Sequence, residues 1–354
     1  MTNIEQLVRQ DLKDIQPYPI DRQGNQNGIW LDMNELPWDP CEQMAIQGIN
    51  RYPLPNPPAL MCQLANYYGV SQENLILTRG SDDGIDALMR LFCHPFRDEV
   101  IISSPTFSMY GVSAKLQGAK IIDVPLDADF SWNKTAVEKS INSKTKIIFI
   151  CSPNNPTGNL IPAEEILALA EKVSTQAIVV VDEAYIEFSD TMSMTSKIEQ
   201  VSNLVILRTL SKAFGLAGIR CGVAIAEKKL IKFLQALLPP FPVSQFTLKA
   251  AMQATTWENI ERIKGYIEIV KTQRAFLQEK LSKFAFVKKI WPSQANFLLM
   301  QCDDVNKIYW YCVEQGFMLR KFNDKSQLHD CLRLSVGLPS QNEKLLNVLA
   351  AVTG

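Results

Sequence analysis

Seven short apolar runs, separated by segments of helical period, constrain this chain more than any other feature. They are Leu75-Ile76-Leu77, Val100-Ile101-Ile102, Lys120-Ile121-Ile122, Ile147-Ile148-Phe149-Ile150, Ile178-Val179-Val180-Val181, Leu204-Val205-Ile206-Leu207 and Gly222-Val223-Ala224-Ile225. Continuous β-branched runs leave no polar position for a solvated face, so they suit strands of a mostly parallel sheet covered on both sides. Between them Ile85, Leu88, Met89 and Phe92 form one helical stripe. Ile166, Leu169, Ala170 and Val173 form another, after Pro162 at the expected first helical position. The pattern predicts an α/β fold: a three-layer sandwich around a mostly parallel seven-stranded sheet.

A chain of 354 residues has room for more than one such layer structure. A long helical pattern over 256–284 leads to strand candidates near 286–290, 295–301 and 331–336, with a helix near 303–315. These predict a smaller α+β C-terminal domain. Residues 15–60 are rich in proline and asparagine and read as an arm that wraps a body or a partner, after a short amphipathic helix over 1–14. The expected partition is an N-terminal arm (1–40), a large domain (41–255), and an interdomain helix with the small domain (256–354).

Hydrophobic residues make up 47% of the chain and charged residues 21%, which favours a packed core over disorder. A net charge of -1 provides no basic excess for nucleic acid or a membrane surface. Neither a signal peptide nor a run of membrane-span length is expected. The eight cysteines form no C-x-x-C pair and read as reduced thiols of a cytoplasmic protein. The two histidines, His94 and His329, lie far apart, and no metal site is expected.

Several strand ends carry chemistry. Arg79-Gly80-Ser81-Asp82-Asp83-Gly84 joins a strand to a helix, with Ser81 the expected N-cap and free amides behind it that suit a phosphate. Ser152-Pro153-Asn154-Asn155-Pro156-Thr157-Gly158 is a stiff loop at a strand's carboxyl end, where open α/β sheets bind ligands. Asp182 closes a buried strand and needs a cation there, and Tyr185 follows three residues later. In Arg208-Thr209-Leu210-Ser211-Lys212-Ala213-Phe214, a lysine stands where a chain leaves a buried strand, and Arg220 follows eight residues on. A desolvated lysine is a good amine nucleophile for a carbonyl. Ser211 and Arg220 suit a phosphate. Together they point to a Schiff base with pyridoxal 5'-phosphate (PLP), whose ring nitrogen Asp182 would keep protonated. Taken singly, each motif also has a plain reading, as a capped helix, a turn or a surface lysine.

Their joint order resembles the fold-type I PLP-dependent aminotransferases, and within them the histidinol-phosphate aminotransferase family, over nearly the whole chain. The Asp182-Glu183-Ala184-Tyr185-Ile186-Glu187-Phe188 string carries much of the likeness, as do Asn50-Arg51-Tyr52-Pro53 and Cys331-Leu332-Arg333-Leu334. The resemblance implies that Lys212 binds the cofactor and moves a proton, that Asp182 pairs with the ring nitrogen, and that Asn155 and Tyr185 reach its phenolic oxygen. It implies that Ser81, Asp82, Ser211 and Arg220 hold the phosphate and that Phe107 stacks on the ring, where relatives often carry tyrosine. Tyr52 would reach a neighbouring subunit's cofactor, making a homodimer with shared sites. Arg333, Arg320 and Tyr18 would bind the substrates, histidinol phosphate and 2-oxoglutarate or glutamate. An arginine fork takes either a phosphate or a carboxylate, so one site can serve both halves of the reaction. Leu36 departs from the aromatic many relatives carry, which leaves contacts there open.

Sister activities on the same scaffold are an aromatic-amino-acid aminotransferase and a phosphothreonine-type decarboxylase; only substrate contacts separate them. A PLP-binding transcription regulator would need a DNA-binding segment and a basic excess. A nicotinamide dehydrogenase would need a G-x-G-x-x-G after an early strand, which is lacking.

Overall fold

The computed structural model describes residues 29–31, 34, 56–239, 241–322 and 327–352. Tyr18, Leu36, Tyr52 and the helix expected over 1–14 lie outside the described residues. In chain order the elements are β1 (Ile29–Trp30), α1 (Pro58–Tyr68), β2 (Leu75–Thr78), α2 (Ser81–Phe92), β3 (Glu99–Ile102), α3 (Met109–Gln117), β4 (Lys120–Asp123), α4 (Lys134–Ser140), β5 (Thr145–Cys151) and α5 (Ala163–Lys172). There follow β6 (Ile178–Asp182), β7 (Leu204–Thr209), β8 (Gly222–Ala226), α6 (Lys228–Leu237), α7 (Gln245–Ala254) and α8 (Trp257–Leu281). The last are β9 (Val287–Ile290), β10 (Phe297–Cys302), α9 (Val305–Glu314), β11 (Phe317–Met318), β12 (Arg320–Lys321), β13 (Cys331–Ser335) and α10 (Pro339–Ala351).

All seven apolar runs are strands of one sheet, in the order β2-β8-β7-β6-β5-β3-β4. The strands from β7 to β4 pair in parallel, and β8 runs antiparallel to both its neighbours. Successive side chains alternate between the faces. Ile147, Phe149, Val180, Val205 and Leu207 pack under α2, α3 and α6. Ile148, Ile150, Val179, Val181 and Ile206 face α1, α5 and α7 on the other side. The three-layer α/β sandwich expected from the sequence is therefore the fold. Each fully buried leucine or isoleucine of this kind contributes about 1.5–3 kcal/mol.

A second, antiparallel sheet of order β12-β13-β10-β9 packs against α8, α9 and α10. The arm enters this part of the molecule: β1 pairs in parallel with β11, and Ser335 N–H donates to the Leu31 carbonyl.

Two local expectations differ. Gly80, not Ser81, is the N-cap of α2, with φ 76° and ψ 169°. That backbone belongs to glycine, so the serine moves one place into the helix. Pro162 is likewise the residue before α5 and not its first residue. Its extended ψ of 132° keeps it outside the helix. Among the described residues, no helix is long and apolar enough to cross a membrane.

Candidate active site

The strand order reverses between β3 and β5, and the loops that leave the carboxyl ends of β3, β5, β6 and β7 meet above that point. Open α/β sheets form their ligand crevices at such a reversal. A cavity of about 490 Å³ lies there, within the range of small-molecule sites. Ser81, Asp82, Phe107, Asn155, Asp182, Tyr185, Ser211, Lys212, Arg220 and Arg333 all line it.

At one end of the cavity the first turn of α2 approaches the β7–β8 connection. Arg220 donates to Asp82 at 3.0 Å and to Ser211 Oγ at 3.4 Å. The approach is close because Gly222 has no side chain. A Cβ there would stand 2.4 Å from the Gly80 carbonyl carbon and 2.5 Å from the Ser81 nitrogen. Hydroxyls, a helix N-terminus and a guanidinium converge on this corner, a donor set suited to a phosphate.

Asp182 ends β6 and is almost fully buried. Its Oδ2 accepts from Tyr110 Oη at 2.8 Å and its Oδ1 from the Ala184 amide at 3.1 Å. Neither partner is charged. Burial pushes the carboxyl up to about 6, against the pull of those two hydrogen bonds. A cation in the cavity, such as a protonated ring nitrogen, would reverse that shift. Tyr110 is held by stacking on Phe149 at 4.8 Å and by an edge contact with Phe107 at 5.6 Å.

The two asparagines after β5 have separate roles. Asn154 turns inward: its side chain accepts from Thr106 Oγ1 at 2.8 Å and donates to the Pro105 carbonyl at 2.9 Å. Asn155 lines the cavity, and its Oδ1 accepts from Arg333 Nη1. Arg333 comes from β13 and lies over the Phe297 ring at 5.2 Å. Lys212 Nζ stands 5.7 Å from the Tyr185 ring centre. The lysine and the Asp182 carboxylate therefore share one cavity, with the phenol beside them.

Arg320 is placed differently. It is the cross-strand partner of Arg333, so both leave the same face of the sheet, but it does not line the cavity; its guanidinium lies 6.0 Å from the Phe322 ring centre. Arg333 therefore lines the cavity, and Arg320 stands opposite it on the neighbouring strand. Arg320 begins the short edge strand β12.

The model of the family described as aminotransferase class I and II matches residues 26–349. The chain belongs to this family. A histidinol-phosphate aminotransferase of Haemophilus influenzae (strain PittEE) is 39% identical over 350 residues, covering 99% of each chain. One of Pectobacterium carotovorum is 36% identical over 355 residues, covering 100% of this chain and 99% of the relative. In fold, this aminotransferase is similar to the crystal structure of histidinol-phosphate aminotransferase from Sinorhizobium meliloti in complex with pyridoxal-5'-phosphate. The TM-score is 0.83 at 21% identity, over 91% of this chain and 90% of the other.

Sequence reasoning passed over three residues of this aminotransferase's site: Asn34 lines the cavity, while Tyr110 and Arg208 support residues that line it or neighbour it. Asn34 is buried and donates to Tyr185 Oη at 3.1 Å, although it lies 151 positions away in sequence. Tyr110 gave no signal beyond an aromatic on a helix. Arg208 stood in plain view beside Thr209, yet its role shows only in space. It is buried between Glu183 and Glu187, at 3.3 and 2.6 Å, with its guanidinium 4.7 Å from the Tyr68 ring centre. The two glutamates of the Asp-Glu-Ala-Tyr-Ile-Glu-Phe string thus hold the turn that presents Asp182 and Tyr185.

Proposed function

We propose that this chain is a PLP-dependent aminotransferase that exchanges an amino group between histidinol phosphate and 2-oxoglutarate, in histidine biosynthesis. The observation that carries the reading is the meeting of an amine, Lys212, and a buried carboxylate, Asp182, whose partners Tyr110 and Ala184 are uncharged, in one cavity that ends in a phosphate-type corner. The relatives of the same name, similar over the full length of the chain, support the substrate.

Bound PLP supplies an aldehyde and an electron-withdrawing ring that make the substrate's Cα hydrogen acidic. The chain's own residues do the rest. Ser81 and Asp82 (through the backbone), Ser211 and Arg220 anchor the phosphate. Asp182 holds a proton on the ring nitrogen, and Asn155 and Tyr185 donate to the phenolic oxygen. Phe107 packs on the ring. Lys212 Nζ would hold the cofactor and, when free, would carry the proton from the substrate's Cα to the carbon on the other side of its nitrogen. Arg333 would bind the phosphate of histidinol phosphate or a carboxylate of 2-oxoglutarate, with Arg320 and Tyr18 as the further substrate-binding residues that the family resemblance implies. The family resemblance implies that Tyr52 serves a neighbouring subunit's cofactor, which would make the working unit a homodimer of chains with arm, large domain and small domain, in the cytoplasm.

The test has two parts. Purified protein is expected to bind PLP with a visible absorption band that Lys212→Ala abolishes. In a single turnover, histidinol phosphate should convert the bound cofactor to its amine form far faster than phenylalanine does. An unchanged band in the variant rules this lysine out. Equal or reversed preference moves the assignment to the aromatic aminotransferases, and release of carbon dioxide moves it to the decarboxylases.

A further inference from the structure

Asn34 is the one described residue of the arm that lines the cavity, and its position there is fully specified. Its φ of 54° is a left-handed conformation that asparagine tolerates. Every polar group it carries has a partner. Its N–H donates to Ser335 Oγ at 3.0 Å, and its carbonyl accepts from Asn296 Nδ2 at 2.9 Å. Its Oδ1 accepts from Ser335 Oγ at 2.9 Å, and its Nδ2 donates to Tyr185 Oη at 3.1 Å.

These hydrogen bonds run in one consistent direction. A serine hydroxyl has one hydrogen. Ser335 Oγ accepts from the Asn34 N–H and spends its hydrogen on Asn34 Oδ1. With its oxygen held by the Ser335 hydroxyl, the amide presents NH2, not oxygen, to Tyr185. The Tyr185 oxygen therefore accepts at that point, and its own hydrogen must go elsewhere. Among the described residues no acceptor is paired with it, and Tyr185 faces the cavity.

We propose that Asn34 is a positioning residue that commits the Tyr185 hydroxyl hydrogen to the phenolic oxygen of the cofactor. The inference rests on the PLP reading above. It links the arm and β13, through Ser335 two positions past Arg333, to the reacting ring. Ionisable groups around Tyr185 are Asp182 on β6, Cys151 on β5, Arg333 on β13 and Lys212 after β7. Of these, the lysine nitrogen joined to the cofactor shares its proton with the phenolic oxygen. A donated hydrogen on that oxygen weakens its hold on the proton. Losing the donor strengthens the hold.

The experiment is a pH titration of the visible band of the PLP-loaded protein, read without substrate. In Asn34→Asp, of nearly the same shape, a carboxylate draws the Tyr185 hydrogen away from the ring. The midpoint should rise by roughly one to two pH units, in the direction and about to the extent seen with Tyr185→Phe. Ser335→Ala, which frees the Asn34 amide to turn, should raise it less. These two variants test the idea independently should one of them fold poorly. A wild-type protein with no titrating band overturns the cofactor reading and this inference together. A normal wild-type band whose midpoint moves in Tyr185→Phe but stays within roughly 0.2 units in Asn34→Asp and Ser335→Ala overturns this inference alone.

Discussion

Arg208→Met tests whether the buried ion cluster beneath the cavity holds the site together. Arg208 and Glu183 expose 4% and 2% of their side chains, and Glu187 exposes 6%. Burial pushes the Glu183 carboxyl above its ordinary value, and the Arg208 charge is the largest influence pulling it back. The Met194 amide at 2.8 Å and the Ser193 hydroxyl also stabilise the carboxylate. Methionine fills the same space without the charge and leaves two carboxylates in a dry pocket. Removing one partner of a buried pair costs about 3–5 kcal/mol, against about 0–1 kcal/mol for an exposed pair. Urea unfolding of wild type and variant at two pH values measures it. The sign of the pH effect follows from Glu183. Its folded pKa is already raised and rises further without Arg208. A group of that kind is fully stabilising below its unfolded pKa, and that stability is lost as pH rises through the folded one. The deficit of Arg208→Met should therefore be largest at neutral pH and shrink on acidification toward about pH 4. Adding Glu183→Gln and Glu187→Gln should recover most of the loss. A deficit below about 1 kcal/mol at pH 7, or one that ignores pH, refutes the reasoning.

Further expectations follow from the same geometry. In cofactor-free protein the Asp182 carboxyl rises from 3.8 to about 6, so stability from this group is present below pH 4 and is lost as pH passes 6. Asp182→Asn should then stabilise the cofactor-free protein near pH 7, by on the order of 3 kcal/mol, while removing amino transfer. Thermal melts of the two proteins check this, and a less stable variant contradicts it. Gly222→Ala should force β8 from the start of α2, costing about 1–3 kcal/mol and weakening PLP binding. A variant that melts and binds like wild type would show that this contact is not tight.

Much of the fold was legible because the apolar runs leave few alternatives. A run such as Ile178-Val179-Val180-Val181 has no face that water can touch, so it must lie between two layers. The strand-end residues Asp182, Lys212 and Asn155 were legible for a related reason. A charged or amide side chain in the segment that leaves such a run sits at the carboxyl end of the strand, where a ligand can meet it. Helix ends were less legible, since Ser81 and Gly80 compete for the capping position and the sign of φ decides between them.

By itself, the order of residues along the chain determined the seven-stranded layer structure and the set of strand-end groups, because both depend on local pattern. Tertiary structure decided which groups meet. Asn34 reaches Tyr185, Arg208 lies between Glu183 and Glu187, and Arg333 lines the cavity beside Asn155. These outcomes rest on sheet register, on the path of the arm and on burial, which raises the cost of any unpaired charge. No window of sequence contains both partners of such a contact at helical or strand spacing, so no local pattern can announce it.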